Sequence, residues 1–583
     1  MTDPYPPDSL RAHLAYQPQE LAFGTSGRRG ELVHLTQLEI YINALAELEY
    51  LQSLPRTRGG ILKGEEFFFA YDLRPSSTRF DPDQQGRGEI VQAIERAIRD
   101  AGMRPVNLGP IPTPALNHFA LARGRGSIMI TGSHIPFDRN GYKTNSTRGE
   151  LLKLDEGPIN ERSRAVRERF YRQPYDESPF DALGFFRSGH QELPPKCGEA
   201  RAAYIDRYIR FFSGQSLGGK SILVYQHSAV GRDVVVEVLE RLGARVIPAG
   251  HSETFVPIDT ENIDAAQLAA IQALVDQNAS DHGPPFAVIS TDGDSDRPLV
   301  LGVDPQTSAV RFFGGDLVGM IVAEYLQADA VAVPISCNDA IDRGPLKDIV
   351  GPKTRIGSPY VIAGMEAARS RGARVVCGWE PNGGFLVGSD VVRNGRILAA
   401  LQTRDALLPI LCVLFSAQEK GLSLNELFAR LPARFSGAAL LKRFPRARGL
   451  KIVERFSPAN KAIREVVFEA TRIQILDERR NEILRPEEHK EEIEEIRLGL
   501  ERFFTPSQGF GTVVRLDFTD GVRVVFSNGD VAHFRPSGNA DELRIYAVAD
   551  TRGRAEEIVK LGVAEPDGIL RKMERAAVRD LGR

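Results

Sequence analysis

The chain has few cysteines, a single tryptophan and almost no net charge. Its 583 residues include 4 Cys and 1 Trp, and the formal net charge is −3. A charge this small gives no basic surface for nucleic acid or for an anionic membrane. The cysteines are far apart and lack metal-binding spacing, which indicates buried thiols in a reducing compartment. They are Cys197, Cys337, Cys377 and Cys412.

Long hydrophobic runs are also missing. No apolar stretch approaches the roughly 20 residues that a bilayer-spanning helix needs, so we expect no membrane association. The opening Met-Thr-Asp-Pro-Tyr-Pro-Pro-Asp has neither a charged nor an apolar signal region, which predicts no secretory signal and a cytoplasmic location. With 42% hydrophobic and 26% charged residues, the composition is that of a globular protein, and the length suggests about four domains.

The most informative segment is Thr-Asp-Gly-Asp-Ser-Asp-Arg at residues 291–297, which follows the apolar, strand-like residues 285–290. Asp292, Asp294 and Asp296 occupy alternate positions, and an extended chain would spread their side chains along the strand. The three carboxylates can converge on one point only if the chain leaves the strand. We expect the chain to curl here, with Gly293 permitting the turn. Converging carboxylates repel one another unless a hard cation lies between them, and oxygen ligands of this kind suit Mg²⁺.

Two other interpretations of this segment were considered. An EF-hand calcium loop needs Gly at its sixth position and Glu at its twelfth, but counting from Asp292 these are Arg297 and Val303. The segment therefore lacks both residues that an EF-hand requires at these positions. An acidic surface turn is the simpler alternative. Arg297 directly after the acidic residues favours a second anion nearby, such as a phosphate.

A candidate nucleophile lies upstream. Residues 127–130 form a short apolar strand pattern that leads into a loop with Ser133 and His134, and Lys143 follows. A serine in a loop at a strand end can carry a phosphoryl group, while Lys143 and His134 can move protons around it. A loop serine that caps a helix is the structural alternative. The loop has no G-x-S-x-G elbow, so a hydrolase is not indicated.

Together, these two segments resemble the α-D-phosphohexomutase family, the phosphomannomutases and phosphoglucomutases. Thr131-Gly-Ser-His-Ile-Pro136 followed by Asn140-Gly-Tyr-Lys143 is similar to that family's active-site loop, and Asp292–Arg297 is similar to its D-G-D-x-D-R metal loop. Near the N-terminus, Phe23–Gly30 and Asp72–Ser77 are similar to its F-G-T-S-G-x-R-G and D-x-R-x-S-S segments.

Two later segments extend the resemblance. Gly378-Trp-Glu-Pro-Asn-Gly-Gly384 occupies the place of the sugar-binding loop, and Phe534–Arg544 resembles the phosphate-binding loop R-P-S-G-T-E-P-x-x-R. Both depart from the pattern: Asn382 replaces a Ser, and Asn539-Ala540-Asp541 replaces T-E-P. The first departure leaves the choice of sugar open. In the second, an Asn amide can donate where a hydroxyl would.

The resemblance implies a role for each matching residue. Catalytic roles fall to Ser133, Lys143, His134 and Arg29. The metal would be held by Asp292, Asp294, Asp296 and a phosphate oxygen on Ser133. Substrate binding would involve Glu380 and Asn382 at the sugar, together with Arg297, Arg535, Ser537, Gly538, Asn539 and Arg544, with Gly357–Tyr360 as a further candidate loop.

The predicted fold class is α/β: three related α/β domains with mixed sheets, and a C-terminal α+β domain, around a central cleft. A repeated helix–Gly–strand step at Gly102, Gly243 and Gly372 supports related units. The predicted domains are 1–197 with the phosphoserine loop, 198–312 with the metal loop, 313–440 with the sugar loop and 441–583 with the phosphate loop. Within the last, mixed charges over 455–505 predict a solvated helical insertion, with a partner-binding element as the alternative.

The resulting functional prediction is a phosphohexomutase that interconverts hexose 1-phosphate and hexose 6-phosphate, of mannose or glucose, through a phosphoserine and a 1,6-bisphosphate. The expected cofactor is Mg²⁺, the partners are a phosphosugar and a hexose 1,6-bisphosphate activator, and the protein would be a monomer or homodimer. The alternatives are a hexose 1,6-bisphosphate synthase, a phosphoglucosamine mutase and a non-catalytic sugar-phosphate-binding protein.

Overall fold

The computed structural model describes residues 5–24, 27–261, 263–470, 472–483, 486–538 and 541–579. They form two compact units. The first unit contains the described residues up to Gln327 together with Asn382–Leu427, and the second contains Ala328–Pro381 together with the described residues from Phe428 onward. Residues 313–440, which the sequence predicts as one domain, therefore contribute to both units.

The described strands are, in chain order, β1 (Arg28–Glu31), β2 (Glu66–Tyr71), β3 (Phe80–Asp81), β4 (Arg87–Gly88), β5 (Arg104–Pro110), β6 (Ser127–Ile130), β7 (Arg139–Ser146), β8 (Gly149–Glu150), β9 (Ser221–His227), β10 (Arg245–His251), β11 (Ala287–Thr291), β12 (Pro298–Val303), β13 (Val310–Phe313), β14 (Ala330–Ala332), β15 (Val376–Trp379), β16 (Phe385–Val387), β17 (Val391–Arg393), β18 (Arg396–Leu398), β19 (Leu401–Asp405), β20 (Phe435–Lys442), β21 (Glu465–Phe468), β22 (Ile473–Leu476), β23 (Val513–Asp517), β24 (Val522–Phe526), β25 (Val531–Pro536) and β26 (Glu542–Ala549).

The described α-helices are α1 (Leu10–His13), α2 (Gln37–Ser53), α3 (Pro75–Thr78), α4 (Ile90–Asp100), α5 (Thr113–Ala122), α6 (Glu156–Tyr171), α7 (Glu199–Phe211), α8 (Arg232–Arg241), α9 (Ala265–His282), α10 (Gly315–Leu326), α11 (Ser358–Ser370), α12 (Leu407–Lys420), α13 (Leu424–Ala429), α14 (Arg446–Arg455), α15 (Lys490–Glu501), α16 (Arg552–Val563) and α17 (Ile569–Arg579).

Two mixed sheets organise the first unit. One has the order β1-β7-β6-β2-β5, with β2 parallel to β5 and β6, and β7 antiparallel to β6 and β1. The other has the order β10-β9-β11-β12-β13, in which β9 is parallel to β10 and β11 while β12 is antiparallel to both of its neighbours. The predicted α/β class with mixed sheets is confirmed. Ser133 and the acidic segment 292–297 follow the ends of β6 and β11.

The repeated helix–Gly–strand step is also confirmed. Gly102, Gly243 and Gly372 have φ values of 77°, 90° and 99°, which favour glycine because a Cβ is unfavourable there. Each follows a helix (α4, α8 or α11) and precedes a strand (β5, β10 or β15). All three strands then pair in parallel, with β2, β9 and β14 respectively.

A buried helix supports β1. Helix α2 is enclosed almost all round, and its Glu47 carboxylate pairs at 2.6 Å with the Arg28 guanidinium. Both side chains are at most 2% exposed, so the pair is desolvated and fixes the strand. Because successive side chains of a strand point to opposite faces, Arg29 faces away from this core.

The second unit is built on a seven-stranded antiparallel sheet, β20-β26-β25-β24-β23-β21-β22. Turns at Asp520-Gly521 and Asn528-Gly529, both typical hairpin sequences, connect β23 to β24 and β24 to β25, with both glycines at positive φ. The helical expectation for 455–505 is only partly right. Helix α15 is present and buries Ile493, Ile496 and Leu500, but β21 and β22 also lie in this region and widen the sheet.

Among the described residues, every helix is too short or too polar to pass through a bilayer. Cys337, Cys377 and Cys412 are buried and Cys197 is half-buried, all as free thiols. Burial of these thiols agrees with the sequence prediction for three of the four.

Candidate active site

Ser133 is held rigidly at the end of β6. Its φ of +56° lies in the left-handed region, which is unusual for a residue with a side chain. The Ser133 amide donates to Thr131 Oγ1 at 2.7 Å, and Ser133 Oγ donates to Asp292 Oδ2 at 2.7 Å. The residue is 1% exposed. Its hydroxyl is therefore fixed against the acidic loop.

The acidic loop is the six-residue connection between β11 and β12, since Thr291 pairs with Pro298 at its base. Gly293 lies in a turn as the sequence predicts, and the residue of this loop at positive φ is Ser295, at +56°. Glycine is needed at 293 for a different reason: an added Cβ would lie 2.7 Å from the Ser133 carbonyl oxygen. Gly293 thus permits the close approach of the acidic loop to the serine loop.

Asp292, Asp294 and Asp296 converge as predicted. Each offers a carboxylate oxygen within 4.8 Å of the others, and each is at most 1% exposed. Oδ1 of Asp294 and Oδ1 of Asp296 are buried and accept no hydrogen bond from the described residues. Buried carboxylate oxygens without donors are unfavourable unless a cation binds them, so the residues present fit a metal ion.

The three carboxylates differ in their electrostatic environment. Burial, together with the charges of Asp294 and Asp296, raises the pKa of Asp292 well above its usual value. Burial also acts to raise the pKa of Asp294 and of Asp296, but cations outweigh it and both pKa values are lowered. Lys143 is the main lowering influence on Asp294 and Arg404 on Asp296. Asp294 and Asp296 therefore favour the ionised form that binds metal.

Lys143 bridges two members of the acidic loop. Its ammonium donates to Asp294 Oδ2 at 2.7 Å and to Asp296 Oδ2 at 2.8 Å, and the side chain is 4% exposed. Strand β7 places Lys143 there, pairing through Met129 with the strand that leads to Ser133. Lys143 therefore balances the charge of the carboxylates directly.

Arg29 reaches the same centre from β1. Its guanidinium donates to the Thr131 carbonyl at 3.2 Å, two residues before Ser133. Burial lowers the pKa of Arg29, and Arg297 and Arg404 lower it further, although Asp294 acts in the opposite sense. Arg29, Arg297 and Arg404 together concentrate positive charge near the loop that carries Ser133.

Arg297 determines the tautomer of His134. The Arg297 guanidinium lies 2.9 Å from His134 Nδ1, and because a guanidinium can only donate, Nδ1 must accept. Burial and the positive charges of Arg297 and Arg29 lower the pKa of His134 well below its usual value. The lowered pKa favours the neutral ring, and with Nδ1 accepting from Arg297 the ring proton belongs on Nε2.

Two further contributors were missed by sequence reasoning. Arg404 of β19 donates through Nη2 to Asp296 Oδ2 at 2.9 Å, and Thr113 Oγ1 donates to Asp294 Oδ2 at 2.6 Å. Both residues are at most 2% exposed. A charged residue inside the short strand Leu401–Asp405 is a weak signal for Arg404, and Thr113 carries none, because both partners are more than 100 residues away in sequence.

The second unit contains the candidate phosphate clamp. Arg535 of β25 and Arg544 of β26 are directly opposite each other in the sheet register. Like charges in this position are unfavourable, so an anion between them would relieve the repulsion. Arg535 Nε lies 3.0 Å from Asp520 Oδ1, and Arg544 Nη2 lies 2.9 Å from Glu542 Oε2.

The remaining residues of the clamp follow β25. Ser537 is buried, and its amide donates to the Glu542 carbonyl at 2.8 Å, while Gly538 is exposed. Asn539 lies outside the described residues. Asp520 Oδ2 also accepts from the Ile356 amide at 3.1 Å, which ties the candidate loop that starts at Gly357 to the partner of Arg535.

Glu380 and Asn382 belong to different units. Glu380 is 3% exposed and follows Trp379, which is buried at the end of β15 in the second unit. Asn382 is 7% exposed in the first unit; its Oδ1 accepts from the Gly384 amide at 3.0 Å, and its carbonyl accepts from Thr260 Oγ1 at 2.7 Å. Asn382 lies in the turn that follows Glu380.

Comparison with known proteins agrees with this geometry. Residues 20–168 match the family model "Phosphoglucomutase/phosphomannomutase, alpha/beta/alpha domain I", and residues 314–435 match that of domain III. A phosphomannomutase of Sinorhizobium fredii is 36% identical over 93% of this chain and 98% of its own length. A phosphomannomutase of Salmonella muenchen is 34% identical over 92% of this chain and 94% of its own.

The solved structures give the same fold. A phosphoglucomutase/phosphomannomutase family protein of Burkholderia thailandensis superposes with a TM-score of 0.59 at 16% identity, covering 95% of this chain and 97% of its own.

Among the sequence relatives, a phosphoglucosamine mutase of Herminiimonas arsenicoxydans is more distant than the two phosphomannomutases, at 26% identity over 66% of this chain and 79% of its own length. The chain belongs to the phosphoglucomutase/phosphomannomutase family, the α-D-phosphohexomutases that its motifs resemble.

Proposed function

We propose that this phosphohexomutase interconverts hexose 1-phosphate and hexose 6-phosphate with Ser133 as the phosphoryl carrier. One observation carries the proposal: the Ser133 hydroxyl donates to the acidic loop inside a buried cluster of cations. A nucleophile, a set of oxygen ligands and converging positive charge are what transfer of a dianionic phosphoryl group requires.

In the proposed cycle, phosphorylated Ser133 donates its phosphoryl group to the free hydroxyl of a hexose monophosphate. The P–O bond to Ser133 Oγ breaks and a P–O bond to the sugar oxygen forms. The proton lost by the sugar hydroxyl ends on Ser133 Oγ, which is again a free hydroxyl. The product is a hexose 1,6-bisphosphate. The bisphosphate then reorients in the site, and its other phosphoryl group is transferred to Ser133. The second monophosphate leaves, and the enzyme is again phosphorylated.

Asp292, Asp294 and Asp296 would hold the metal together with a phosphate oxygen on Ser133, and we propose Mg²⁺ because all the ligands are hard oxygens. When bound, it would neutralise the phosphoserine and polarise its phosphorus. Lys143 keeps Asp294 and Asp296 oriented through their Oδ2 atoms, which leaves Asp294 Oδ1 for the metal. Asp296 Oδ1 faces the metal position as well as Arg297 Nε, which lies 3.5 Å away.

Arg29, Arg297 and His134 are the proposed supports for the transferring group. Arg29 and Arg297 supply positive charge, and His134 supplies a neutral donor at Nε2. Lys143 and Arg29 remain the candidates for charge support and proton traffic. An arginine acts chiefly by electrostatic stabilisation, because it rarely gives up its proton.

The clamp residues Arg535, Ser537, Gly538, Asn539 and Arg544 are proposed to bind the phosphate that is not transferred. A forked guanidinium suits this task, since it donates two parallel hydrogen bonds to one phosphate. Glu380 and Asn382 are proposed to bind sugar hydroxyls. A free hexose 1,6-bisphosphate would then act as activator by phosphorylating Ser133.

Mannose phosphates are the proposed preferred substrates, supported by two relatives named phosphomannomutase that match over nearly the whole chain. The division at residues 197, 312 and 440, the cytoplasmic location and a monomeric or homodimeric state also remain proposals.

A coupled mutase assay tests the function. With Mg²⁺ and a trace of hexose 1,6-bisphosphate, we expect turnover of mannose 1-phosphate and of glucose 1-phosphate, with the higher kcat/KM for mannose 1-phosphate. Net accumulation of bisphosphate would instead indicate a synthase. The proposal would be contradicted if neither sugar phosphate were turned over and mass spectrometry showed that Ser133 is not phosphorylated.

A further inference from the structure

Arg74 has no part in the chemistry described above, yet its side chain is fully buried beside Ser133. Its Nη1 donates to the carbonyls of Pro136 at 2.7 Å and Arg139 at 2.9 Å. Its Nη2 donates to the carbonyl of Ser133 at 3.0 Å and to that of Ile135. The four N–H groups of the two terminal nitrogens thus each have a backbone acceptor, all within the segment that carries Ser133.

Asp72 anchors both the guanidinium and the loop. Its Oδ2 lies 3.4 Å from Arg74 Nε and accepts from the Gly132 amide at 3.3 Å, while its Oδ1 accepts from Ser77 Oγ at 2.9 Å. A Cβ added to Gly132 would lie 2.5 Å from Arg74 Nε. The guanidinium therefore lies directly on the loop backbone, next to the nucleophile.

Phe255 packs against the Arg74 guanidinium. Its ring centroid is 3.8 Å from the Arg74 guanidinium carbon, a cation–π distance. The same ring would lie 3.1 Å from a Cβ added to Gly293 in the acidic loop. Arg74 is thus enclosed between the serine loop and a ring that also packs on the acidic loop, which leaves the guanidinium little freedom to move.

We infer that Arg74 is a positioning residue for phosphoryl transfer, which fixes Ser133 in its left-handed conformation with Oγ on the acidic loop. The inference rests on the proposed role of Ser133. Four carbonyls bound by one planar group determine the course of the loop, whereas a lysine offers three donors from a single atom and cannot match them. A displacement of about 1 Å at a reacting atom lowers a rate by about a hundredfold.

The test measures the rate at which hexose 1,6-bisphosphate phosphorylates Ser133, followed by quenching and mass spectrometry at several bisphosphate concentrations with Mg²⁺. Arg74→Lys keeps the charge that balances Asp72, and Phe255→Leu keeps an apolar side chain but removes the ring face. Arg79→Met is the matched control, because Arg79 is exposed a few residues further along the same segment. The folded fraction of each variant is measured by its thermal unfolding amplitude.

We expect Arg74→Lys to lower the maximal phosphorylation rate by roughly ten- to a hundredfold, with the half-saturating bisphosphate concentration almost unchanged. Phe255→Leu should lower it severalfold, and Arg79→Met should leave it at the wild-type value. A purely structural role would lower the folded fraction and leave the rate per folded molecule intact.

A wild-type maximal rate in folded Arg74→Lys and Phe255→Leu would overturn the inference, as would a loss confined to the half-saturating concentration. Failure of the wild type itself to be phosphorylated at Ser133 would overturn the proposed function, and this inference with it.

Discussion

The two candidate anion sites of this protein are built on opposite plans. In the first unit, the cations around Ser133 are buried and already paired: Lys143 with two carboxylates, Arg404 with Asp296. In the second unit, Arg535 and Arg544 have side chains 15% and 39% exposed, and each lies beside one acidic residue. A centre that performs a reaction needs fixed charges, whereas a clamp that accepts either phosphate of a sugar benefits from accessible donors.

The largest effect should come from removing the nucleophile. Ser133→Ala should abolish mutase turnover, by a factor on the order of 10⁴ or more, because no other group can carry the phosphoryl. The Tm should change little, since one hydroxyl and one hydrogen bond are lost. Near-normal activity would show that the buried centre is not the reaction site.

Asp296→Asn should lower activity by about a thousandfold, since it removes a proposed metal ligand and a charge partner of Arg404 and Lys143. Calorimetric titration with Mn²⁺ checks the cause, because the variant should bind the metal more weakly even without substrate. Asp281→Asn, at the exposed end of α9, is the matched control and should titrate like the wild type. Unchanged metal affinity in Asp296→Asn would remove Asp296 from the metal site.

Acid should destabilise the second unit through His533. Burial lowers the pKa of His533 from 6.5 to about 4, although the Asp520 carbonyl that lies 2.6 Å from Nε2 acts to raise it. As pH falls from about 6.5 to 4, His533 therefore binds a proton in the unfolded chain but not in the folded unit. The free energy of unfolding falls by up to about 3 kcal/mol over this range.

His118 and His227 of the first unit also have pKa values lowered to about 4, chiefly by burial, so the acid-induced loss is not confined to one unit. The measurement is denaturant unfolding between pH 7 and pH 4 for the wild type and for His533→Gln. The variant should show a shallower loss of stability on acidification. Parallel pH profiles would contradict the assignment to His533.

The smallest effect should appear in the clamp. Arg535→Ala and Arg544→Ala should each raise KM for the sugar phosphate by roughly ten- to a hundredfold and change kcat less, because a hydrogen bond to a charged group contributes about 1.5–3 kcal/mol. Arg552→Ala, exposed at the start of α16, is the control. A large fall in kcat with KM unchanged would place these arginines with the reacting centre and break the comparison.

The sequence predicted those members of the buried centre that belong to short contiguous motifs. Ser133, Lys143 and the three aspartates converge as expected, and the α/β class follows from the repeated helix–Gly–strand step. Residues whose role depends on a distant partner were not predicted. Arg404 meets Asp296 across 108 positions, and Arg74 was placed in a motif but given no role, since its acceptors are backbone carbonyls that carry no sequence signal.

The region 455–505 shows a different kind of failure. Its abundant charges predicted solvated helices, but the short apolar runs Glu465–Phe468 and Ile473–Leu476 form a hairpin at the edge of the seven-stranded sheet. Pairing of β21 with β23 stabilises these residues as strands, and this tertiary contact cannot be inferred from the composition. Gly293 lies in a turn as predicted, but the close approach of Ser133 that also requires glycine there is a tertiary contact that the sequence did not show.

The central claim is that Ser133 carries the phosphoryl group between sugars. The most direct measurement isolates the phosphorylated enzyme, mixes it with mannose 1-phosphate and Mg²⁺ in a single turnover, and follows Ser133 and the sugar together. We predict that phosphate leaves Ser133 as hexose bisphosphate forms, at a rate no slower than kcat. Loss of the phosphate to water, or its retention on Ser133 while the sugar is still isomerised, would contradict the account.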